Sequence, residues 1–391
     1  MTTAKRNPPA SIYLDHAATT PVRPEVADVV DETQRRLFGN PSSQHAAGRA
    51  ARRALEDARD RILELVGCRG GRAGGAADRD RLVFTSGASE ANHLAIEGMA
   101  AAAAMPGTVS YSRRDHASVV QASVAVGRRG WRIDEFGLDA NGRVRAASIE
   151  PQAGPRIVAV TLVCGQTGVV EDVATLVEIV PGALIHCDAT QAAGLSPIGV
   201  DSLGVATLTL APHKFGGPRG IGGLVIRGGV AVAPLQAGTQ EEGLRGGTEP
   251  VALAVGFARA LELAVAEREA EARRIAGLRD RFEAGLRAAC REAGIPAVVV
   301  ASAADRSPHI STVSFPGRDR QALAMAADLA GVCLATGTAC ASGSSEPAPA
   351  LMAMGMPPEH VRGAVRCSFG RSTTAEEVDL AIDLLAGVAR G

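Results

Sequence analysis

Lysine is rare in this 391-residue sequence, and one lysine occupies a position suited to imine chemistry. Of 41 basic residues, only Lys5 and Lys214 are lysines. Lys214 follows the apolar segment VATLTL and lies in a glycine-rich turn, APHKFGGPRGIGG. A lysine desolvated in such a turn has a lowered pKa, so its amine can attack a carbonyl group. Lys5 lies in a polar tail, so Lys214 is the candidate reactive lysine; an ordinary surface lysine is the alternative.

A carboxylate follows another apolar segment, in the motif HCDATQAAG. Asp188 ends this segment, and burying its charge is costly without a cationic partner. A protonated pyridine nitrogen would be such a partner, and Gln191, three residues later, could reach the same ligand. A helix-capping aspartate is the alternative.

Two further motifs suggest a phosphate site and a nucleophile. SGASE (86–90) follows the apolar segment RLVFT and opens a predicted helix, whose N-terminal N–H groups suit a phosphate; a plain helix cap explains it equally well. Cys340 is surrounded by small residues in ATGTACASGSS, which predicts an accessible loop and a usable thiol.

The seven cysteines form no CxxC pair and no zinc-like Cys/His cluster, so we expect neither a disulfide framework nor a metal.

Continuous apolar strands alternate with helices from residue 81 to 227, which predicts an α/β sheet covered on both faces. Ligands of such sheets bind beyond the carboxyl ends of the strands. One or two long helices follow at 250–292, and 293–391 resembles a smaller α/β domain. The glycine-rich stretch 67–80 lacks GK[ST] and is interpreted as a surface loop.

The composition argues against several classes of partner. A formal net charge of −1 provides no basic field for nucleic acid, and no apolar run of 18 residues predicts a membrane span. The N-terminus lacks the apolar core of a signal peptide, so we expect a cytoplasmic protein.

The ordered motifs resemble those of a known family. YLDHAATTPVRPEV, FGNPSS, FTSGASEANHLAI, RDHASVV, HCDATQ, PHKFGGPRGIG, LRGGTEPV and TGTACASGSSEPAPAL are similar to cysteine desulfurases, which are class V aminotransferases of pyridoxal-phosphate (PLP) fold type I. The resemblance spans about residues 11 to 389. It implies a large PLP-binding domain at 16–265 with a mostly parallel sheet covered by helices. A smaller C-terminal α/β domain would comprise 1–15 and 266–391 and carry the Cys340 loop.

The resemblance implies catalytic roles for Lys214, Cys340 and His116 and cofactor-binding roles for Asp188 and Gln191. Lys214 would hold PLP through a Schiff base, and Cys340 would accept sulfur. Asp188 would keep the pyridine nitrogen protonated, Gln191 would donate to the phenolic oxygen, and His116 would stack on the ring and act as a proton donor or acceptor.

Five more residues match binding positions of the family. Ser89, His213 and Thr248 would contact the phosphate, with Thr248 supplied by the neighbouring subunit of a homodimer. Asn40 and Arg366 would bind substrate, and Arg366 is placed for a bidentate grip on its carboxylate.

Two positions depart from the family pattern. Gly165 in CGQTGVV replaces an asparagine that would touch the phenolic oxygen and the substrate carboxylate, and Ala211 replaces a phosphate-binding serine. The sequence also ends at Gly391, whereas housekeeping relatives continue into a tail that docks the iron–sulfur scaffold protein. The absence of this tail argues against that scaffold as the partner, and the sequence does not identify the acceptor protein.

The resulting hypothesis is a cysteine desulfurase that converts L-cysteine to L-alanine. Sulfur would pass to Cys340 as a persulfide and then to an acceptor protein, with a dedicated thiolation pathway as one destination. Another class V PLP enzyme is the first alternative: a selenocysteine lyase, an epimerase or an aminotransferase, for which Gly165 leaves room. A non-catalytic PLP-fold interaction subunit is the second, and the retention of Lys214, Asp188, His116 and Cys340 argues against it.

Overall fold

The computed structural model of the chain describes residues 11–68, 78–145, 154–337 and 348–390. Cys340 and most of the predicted glycine-rich loop lie outside these ranges, as does Lys5. Within the described ranges, no helix has the length and apolarity needed to span a bilayer.

A seven-stranded sheet forms the centre of the larger part of the chain, in the order β2-β8-β7-β6-β5-β3-β4. Neighbouring strands are parallel except at β8, which runs antiparallel to both β2 and β7. The inner strands are buried along their length, as expected for a sheet covered on both faces. The strands of this sheet are β2 Arg81–Thr85, β3 Thr108–Tyr111, β4 Arg132–Glu135, β5 Arg156–Thr161, β6 Leu184–Asp188, β7 Thr207–Leu210 and β8 Gly222–Ile226.

Helices cover this sheet and form the outer layers. Their apolar residues pack with the strand side chains into a buried core that runs from Val26 to Ala264. The helices up to this point are α1 Pro24–Arg36, α2 Ala46–Leu65, α3 Ala88–Ala102, α4 Ala117–Gly127, α5 Val173–Ile179 and α6 Val200–Leu203.

A second core belongs to the C-terminal part together with the first strand. Its three-stranded antiparallel sheet has the order β12-β10-β9, and the two-stranded parallel sheet β1-β11 lies beside it. The strands are β1 Ile12–Tyr13, β9 Val298–Val299, β10 Ile310–Ser314, β11 Val332–Cys333 and β12 Ala364–Ser368. The helices are α8 Arg320–Leu329, α9 Pro349–Ala353, α10 Pro358–Arg362 and α11 Ala375–Arg390.

One helix, α7 Val251–Glu292, joins the two cores over 42 residues. Its buried residues belong to the first core up to Ala264 and to the second core from Ile275 onward. The predicted domain boundary between residues 265 and 266 lies in the part of α7, between Ala264 and Ile275, where the helix passes from the first core to the second. The division into 16–265 and 1–15 with 266–391 stays a prediction.

Candidate active site

The carboxyl ends of β2, β3, β5, β6 and β7 lie at the same edge of the large sheet, because these strands run in the same direction. A cavity of about 530 Å³ lies there. The segments that follow these strands line it, so that the motifs singled out in the sequence converge on one space. Seven of the ten sequence-predicted residues line the cavity, namely Ser89, His116, Asp188, Gln191, His213, Lys214 and Arg366.

Lys214 ends a short 3-10 turn, Pro212–Lys214, that directly follows β7. Its Nζ donates to the carbonyl oxygens of Ala17 and Ala18, at 2.6 and 2.8 Å. The amide Nε2 of Gln191 donates to the same Ala17 oxygen at 2.8 Å. The N-terminal turn thus holds the amine and the amide side by side.

Asp188 is 2% exposed and lies at the last position of β6. Its two oxygens accept hydrogen bonds from Asn92 Nδ2 at 2.9 Å and from the backbone N–H of Thr190 at 3.0 Å. Among the described residues no lysine, arginine or histidine forms a salt bridge with it within 4.0 Å. A buried carboxylate with only neutral donors is suited to a cationic ligand atom.

Asn92 connects Asp188 to a buried histidine. Its Oδ1 lies 3.0 Å from His186 Nε2, and His186 Nδ1 lies 2.9 Å from Thr207 Oγ1. Burial lowers the pKa of His186 to about 4, so the ring is neutral near pH 7. Because the Asn92 oxygen can only accept, the ring proton is on Nε2, and every hydrogen-bonding atom of the amide is satisfied.

His116 is the N-cap of α4, and its Nδ1 accepts from the backbone N–H of Ser118 at 3.2 Å. The Ser118 hydroxyl lies 2.7 Å from the same nitrogen and also accepts from Asn92 Nδ2. With Nδ1 occupied as an acceptor, the proton of the neutral ring is on Nε2. Buried Asp115 fixes the preceding turn by accepting from the backbone N–H groups of Ser112 and Thr161.

The turn before α3 forms another part of the cavity wall. Residues 86–90 line it, and Ser89 is exposed at the beginning of the helix. A Cβ at residue 222 would lie 2.5 Å from the backbone of Gly87, so only glycine in β8 lets this turn approach so closely. The Nδ1 atom of His213 lies 3.2 Å from Thr19 Oγ1. Burial is the main cause that lowers the pKa of His213 to about 4, and the charge of nearby Lys214 acts in the same direction.

Arg366 lies on β12 of the small sheet and reaches the same cavity. Its Nη2 pairs with Asp15 at 2.7 Å, and its Nη1 donates to the carbonyl oxygen of Gly165 at 2.8 Å. The guanidinium is therefore fixed between the N-terminal turn and the segment after β5. A substrate carboxylate at this guanidinium would share it with Asp15.

Two predicted residues do not reach the cavity within one chain. Asn40 is exposed, and its side-chain oxygen accepts from the N–H of Ser42. Thr248 is also exposed and lies outside the cavity lining. Their binding roles stay predictions, and that of Thr248 depends on a second subunit.

The two departures from the family pattern occupy different positions. Gly165 lines the cavity, and a Cβ there would lie 3.3 Å from Gln191 Nε2, tighter than ordinary contact. Ala211 is buried at the start of the Lys214 turn, and its carbonyl oxygen accepts from the N–H of Lys214.

Cys340 lies outside the described residues. Of the six described cysteines, five are buried and Cys333 is half-buried. Burial raises the pKa of Cys68 and Cys367 to about 12 and also raises that of Cys187. These buried thiols are poor nucleophiles at neutral pH. No group of three or more potential metal ligands occurs in the part of the chain that the structure describes.

Sequence reasoning missed several residues that support the site, among them Asn92, His186 and His309. The spacing in the sequence could have indicated two of them. Asn92 is three residues after Ser89 in a helix, and His186 is two residues before Asp188 in a strand, so each lies on the same face of its element as a predicted site residue. His309 has no such signal, because its partner Gln191 is 118 positions away.

Comparison with known proteins identifies the family. A model for class V aminotransferases matches residues 12–381. A cysteine desulfurase from Cereibacter sphaeroides is 37% identical over 380 residues, covering 96% of this chain and 94% of that protein. The chain belongs to the cysteine desulfurase family. A NifS-like protein of known structure has a TM-score of 0.85 and 27% identity, covering 97% of this chain and 99% of its own. A structure of SspA in complex with cysteine has a TM-score of 0.73 and 26% identity, covering 91% and 98%.

The fold is therefore PLP fold type I, and PLP is the cofactor of the family. The side chains around the cavity fit this group. The half-buried amine of Lys214 matches the aldehyde of PLP, and the carboxylate of Asp188, which forms no salt bridge with the described residues, matches the pyridine nitrogen. A helix N-terminus matches the phosphate, and an imidazole matches the ring. The volume is also in the usual range for cofactor pockets, about 300–1,000 Å³.

Proposed function

We propose that this cysteine desulfurase transfers the sulfur of L-cysteine to Cys340 and then to an acceptor protein. The observation that carries the proposal is the convergence of Lys214, Asp188 and Arg366 on one cavity. An amine, a buried carboxylate and a carboxylate-binding guanidinium are the groups that hold PLP and an amino acid together.

Each of these side chains has a defined task. PLP, when bound, withdraws electrons from the α-carbon of the amino acid. The Lys214 amine would hold the cofactor at its aldehyde group. Asp188 would stabilise the protonated pyridine nitrogen, and Asn92 with His186 holds the carboxylate in place. Arg366 binds the substrate carboxylate.

The sulfur transfer balances without an outside oxidant. The Cys340 thiolate attacks the substrate sulfur, a sulfur–sulfur bond forms, and the bond between the substrate sulfur and its β-carbon breaks. The carbon keeps the bonding electrons and takes a proton, which gives alanine and a persulfide. His116, with Nδ1 held as an acceptor and the proton on Nε2, is suited to moving protons in this step.

The choice of Cys340 is supported by what surrounds it in the chain. Ala335, five residues earlier, forms a backbone bridge with Arg366, through hydrogen bonds of 3.0 and 2.7 Å. Cys340 follows this bridged residue by only five positions in the sequence. The described cysteines are buried, apart from half-buried Cys333.

Three finer features belong to the same proposal. We propose a homodimer, since exposed Thr248 can complete a phosphate site only from a second subunit. The sulfur acceptor is a protein, and the enzyme acts in the cytoplasm.

Product analysis tests the reaction. Purified enzyme with PLP and L-cysteine should release alanine and sulfide in equal amounts when a thiol reductant is present. Without added reductant, alanine formation should begin with a burst of about one equivalent per site and then slow, because only substrate cysteine is present to remove the persulfide. Pyruvate and ammonia in place of alanine would refute the proposal, as would alanine formation that needs a keto acid.

A further inference from the structure

His309 forms a buried hydrogen-bonded pair with Gln191, which lines the cavity. It is 5% exposed, and its Nε2 lies 3.2 Å from Gln191 Oε1. On the other side of the ring, Nδ1 lies 2.7 Å from the hydroxyl of Ser307. His309 directly precedes β10 in the small sheet, whereas Gln191 follows β6 of the large sheet. The pair therefore connects the two parts of the chain at the site.

The orientation of the Gln191 amide follows from its partners. The carbonyl oxygen of Ala17 can only accept, so the atom 2.8 Å from it is the amide nitrogen. The amide oxygen consequently faces His309, and His309 must present an N–H from Nε2. Burial and the nearby cations Arg366 and Lys214 lower the pKa of His309 to about 3, so the ring is neutral and has a single proton.

Ser307 completes this arrangement. With the His309 proton on Nε2, Nδ1 is an acceptor and the Ser307 hydroxyl donates to it. The hydrogen bonds among these three side chains therefore run in one direction: Ser307 donates to His309, and His309 donates to Gln191. A reversal of the amide would place two donors against each other at His309 and two acceptors at Ala17.

We propose that His309 is a positioning residue that holds the Gln191 amide nitrogen toward the cofactor. This inference rests on the proposed function, in which Gln191 donates to PLP. Gly165 provides no side chain to that wall of the cavity, and a Cβ there would already crowd Gln191 Nε2 at 3.3 Å. The Gln191 amide therefore occupies this space, and its orientation determines whether the cofactor meets a donor or an acceptor.

Cofactor affinity measured by absorbance tests the proposal on full-length apo-protein. His309→Leu introduces an apolar side chain of comparable size and removes the hydrogen-bond donor. His309→Gln keeps a donor near the position of Nε2. The dissociation constant of PLP should rise about 2- to 10-fold in His309→Leu, since one hydrogen bond is lost. It should return to within about 2-fold of the wild-type value in His309→Gln.

A double-mutant cycle separates positioning from packing. In a Gln191→Ala background, His309→Leu should produce no further change in the PLP dissociation constant. Val313→Ala, at a buried position of the neighbouring strand β10, serves as the packing control; it should lower the Tm and leave PLP affinity unchanged. Additive effects of His309→Leu and Gln191→Ala would overturn the inference, as would equal affinity losses in His309→Leu and Val313→Ala. Absence of a visible PLP band in the wild type would instead refute the proposed function.

Discussion

Lys214 Nζ lies 2.6 Å from the carbonyl oxygen of Ala17, and this contact connects the reactive amine to the N-terminal turn. Two backbone carbonyl oxygens accept hydrogen bonds from this amine. The amine would have to give up at least one of these contacts to hold the aldehyde of the cofactor. Ala17 thus lines the cavity and positions the amine through its backbone oxygen, although its own side chain carries no chemistry.

Lys214→Ala should abolish covalent PLP attachment, because no other described residue supplies an amine to the cavity. Wild-type protein treated with borohydride in the presence of PLP should carry the cofactor on the peptide that contains Lys214. Lys5→Ala is the matched control, since it removes the second lysine of the chain and should leave the visible band intact. Cofactor fixed on Lys5 would contradict the assignment.

Asp188→Asn should reduce alanine formation about 10- to 100-fold, which corresponds to the loss of a hydrogen bond to a charged group. The amide keeps the shape of the side chain but cannot balance a protonated pyridine nitrogen. Asp134→Asn is the control, because Asp134 is a carboxylate of the edge strand β4 that pairs with Arg156 instead. Similar rates for Asp188→Asn and wild type would show that Asp188 only caps the following turn.

Gly165→Asn should tighten PLP binding or raise turnover about 2- to 10-fold, if an amide at this position adds one hydrogen bond. The new Cβ also crowds Gln191 Nε2 at 3.3 Å, and this cost must be separated from the gain. Gly165→Ala adds the same Cβ without the amide, so the ratio of the two variants measures the amide alone. A ratio near one would mean that other groups, such as Gln166 of the same cavity wall, have replaced it.

Acidification should destabilise the apo-protein through its buried histidines. The native pKa of His186 is about 4, below the unfolded value of 6.5, so the unfolded chain binds the proton first as the pH falls. The free energy of unfolding should therefore decrease from about pH 6.5 toward pH 4, by about 1.4 kcal/mol per pH unit for such a histidine. His309, with a native pKa of about 3, acts in the same direction.

Asp115 opposes this trend over part of the range. Burial raises its native pKa to about 6 from 3.8, so the folded state binds this proton first and gains stability as the pH falls between these values. Urea unfolding at several pH values measures the net slope. His186→Gln, which keeps a donor to Asn92, should reduce the slope, and an unchanged slope would contradict the assigned protonation states.

Much of the fold was predictable from sequence because the inner strands are continuous apolar runs. The predicted alternation of apolar strands and helices over residues 81–227 is observed, and β2, β5 and β8 are among its strands. The edge strand β4 was missed since RIDE is polar and largely exposed. The segment 250–292, predicted as one or two helices, is one helix, α7.

The site was predictable in part. Residues that end strands, such as Asp188, or follow them closely, such as Lys214, converge because parallel strands bring their carboxyl ends to one edge. The residues that support them were not predictable in the same way. His309 and Asp15 act through partners more than 100 positions away, Gln191 and Arg366, and only tertiary structure brings such pairs together.

Mass spectrometry of the sulfur on the protein tests the central claim most directly. After incubation with PLP and L-cysteine without reductant, the peptide containing Cys340 should gain the mass of one sulfur atom, and a thiol reductant should remove it. Cys340→Ser should still bind PLP but lose this mass and most alanine formation, whereas Cys333→Ser, at the half-buried described cysteine, should behave as wild type. Sulfur found on Cys333 or Cys164, or alanine formed at the wild-type rate by Cys340→Ser, would contradict the account.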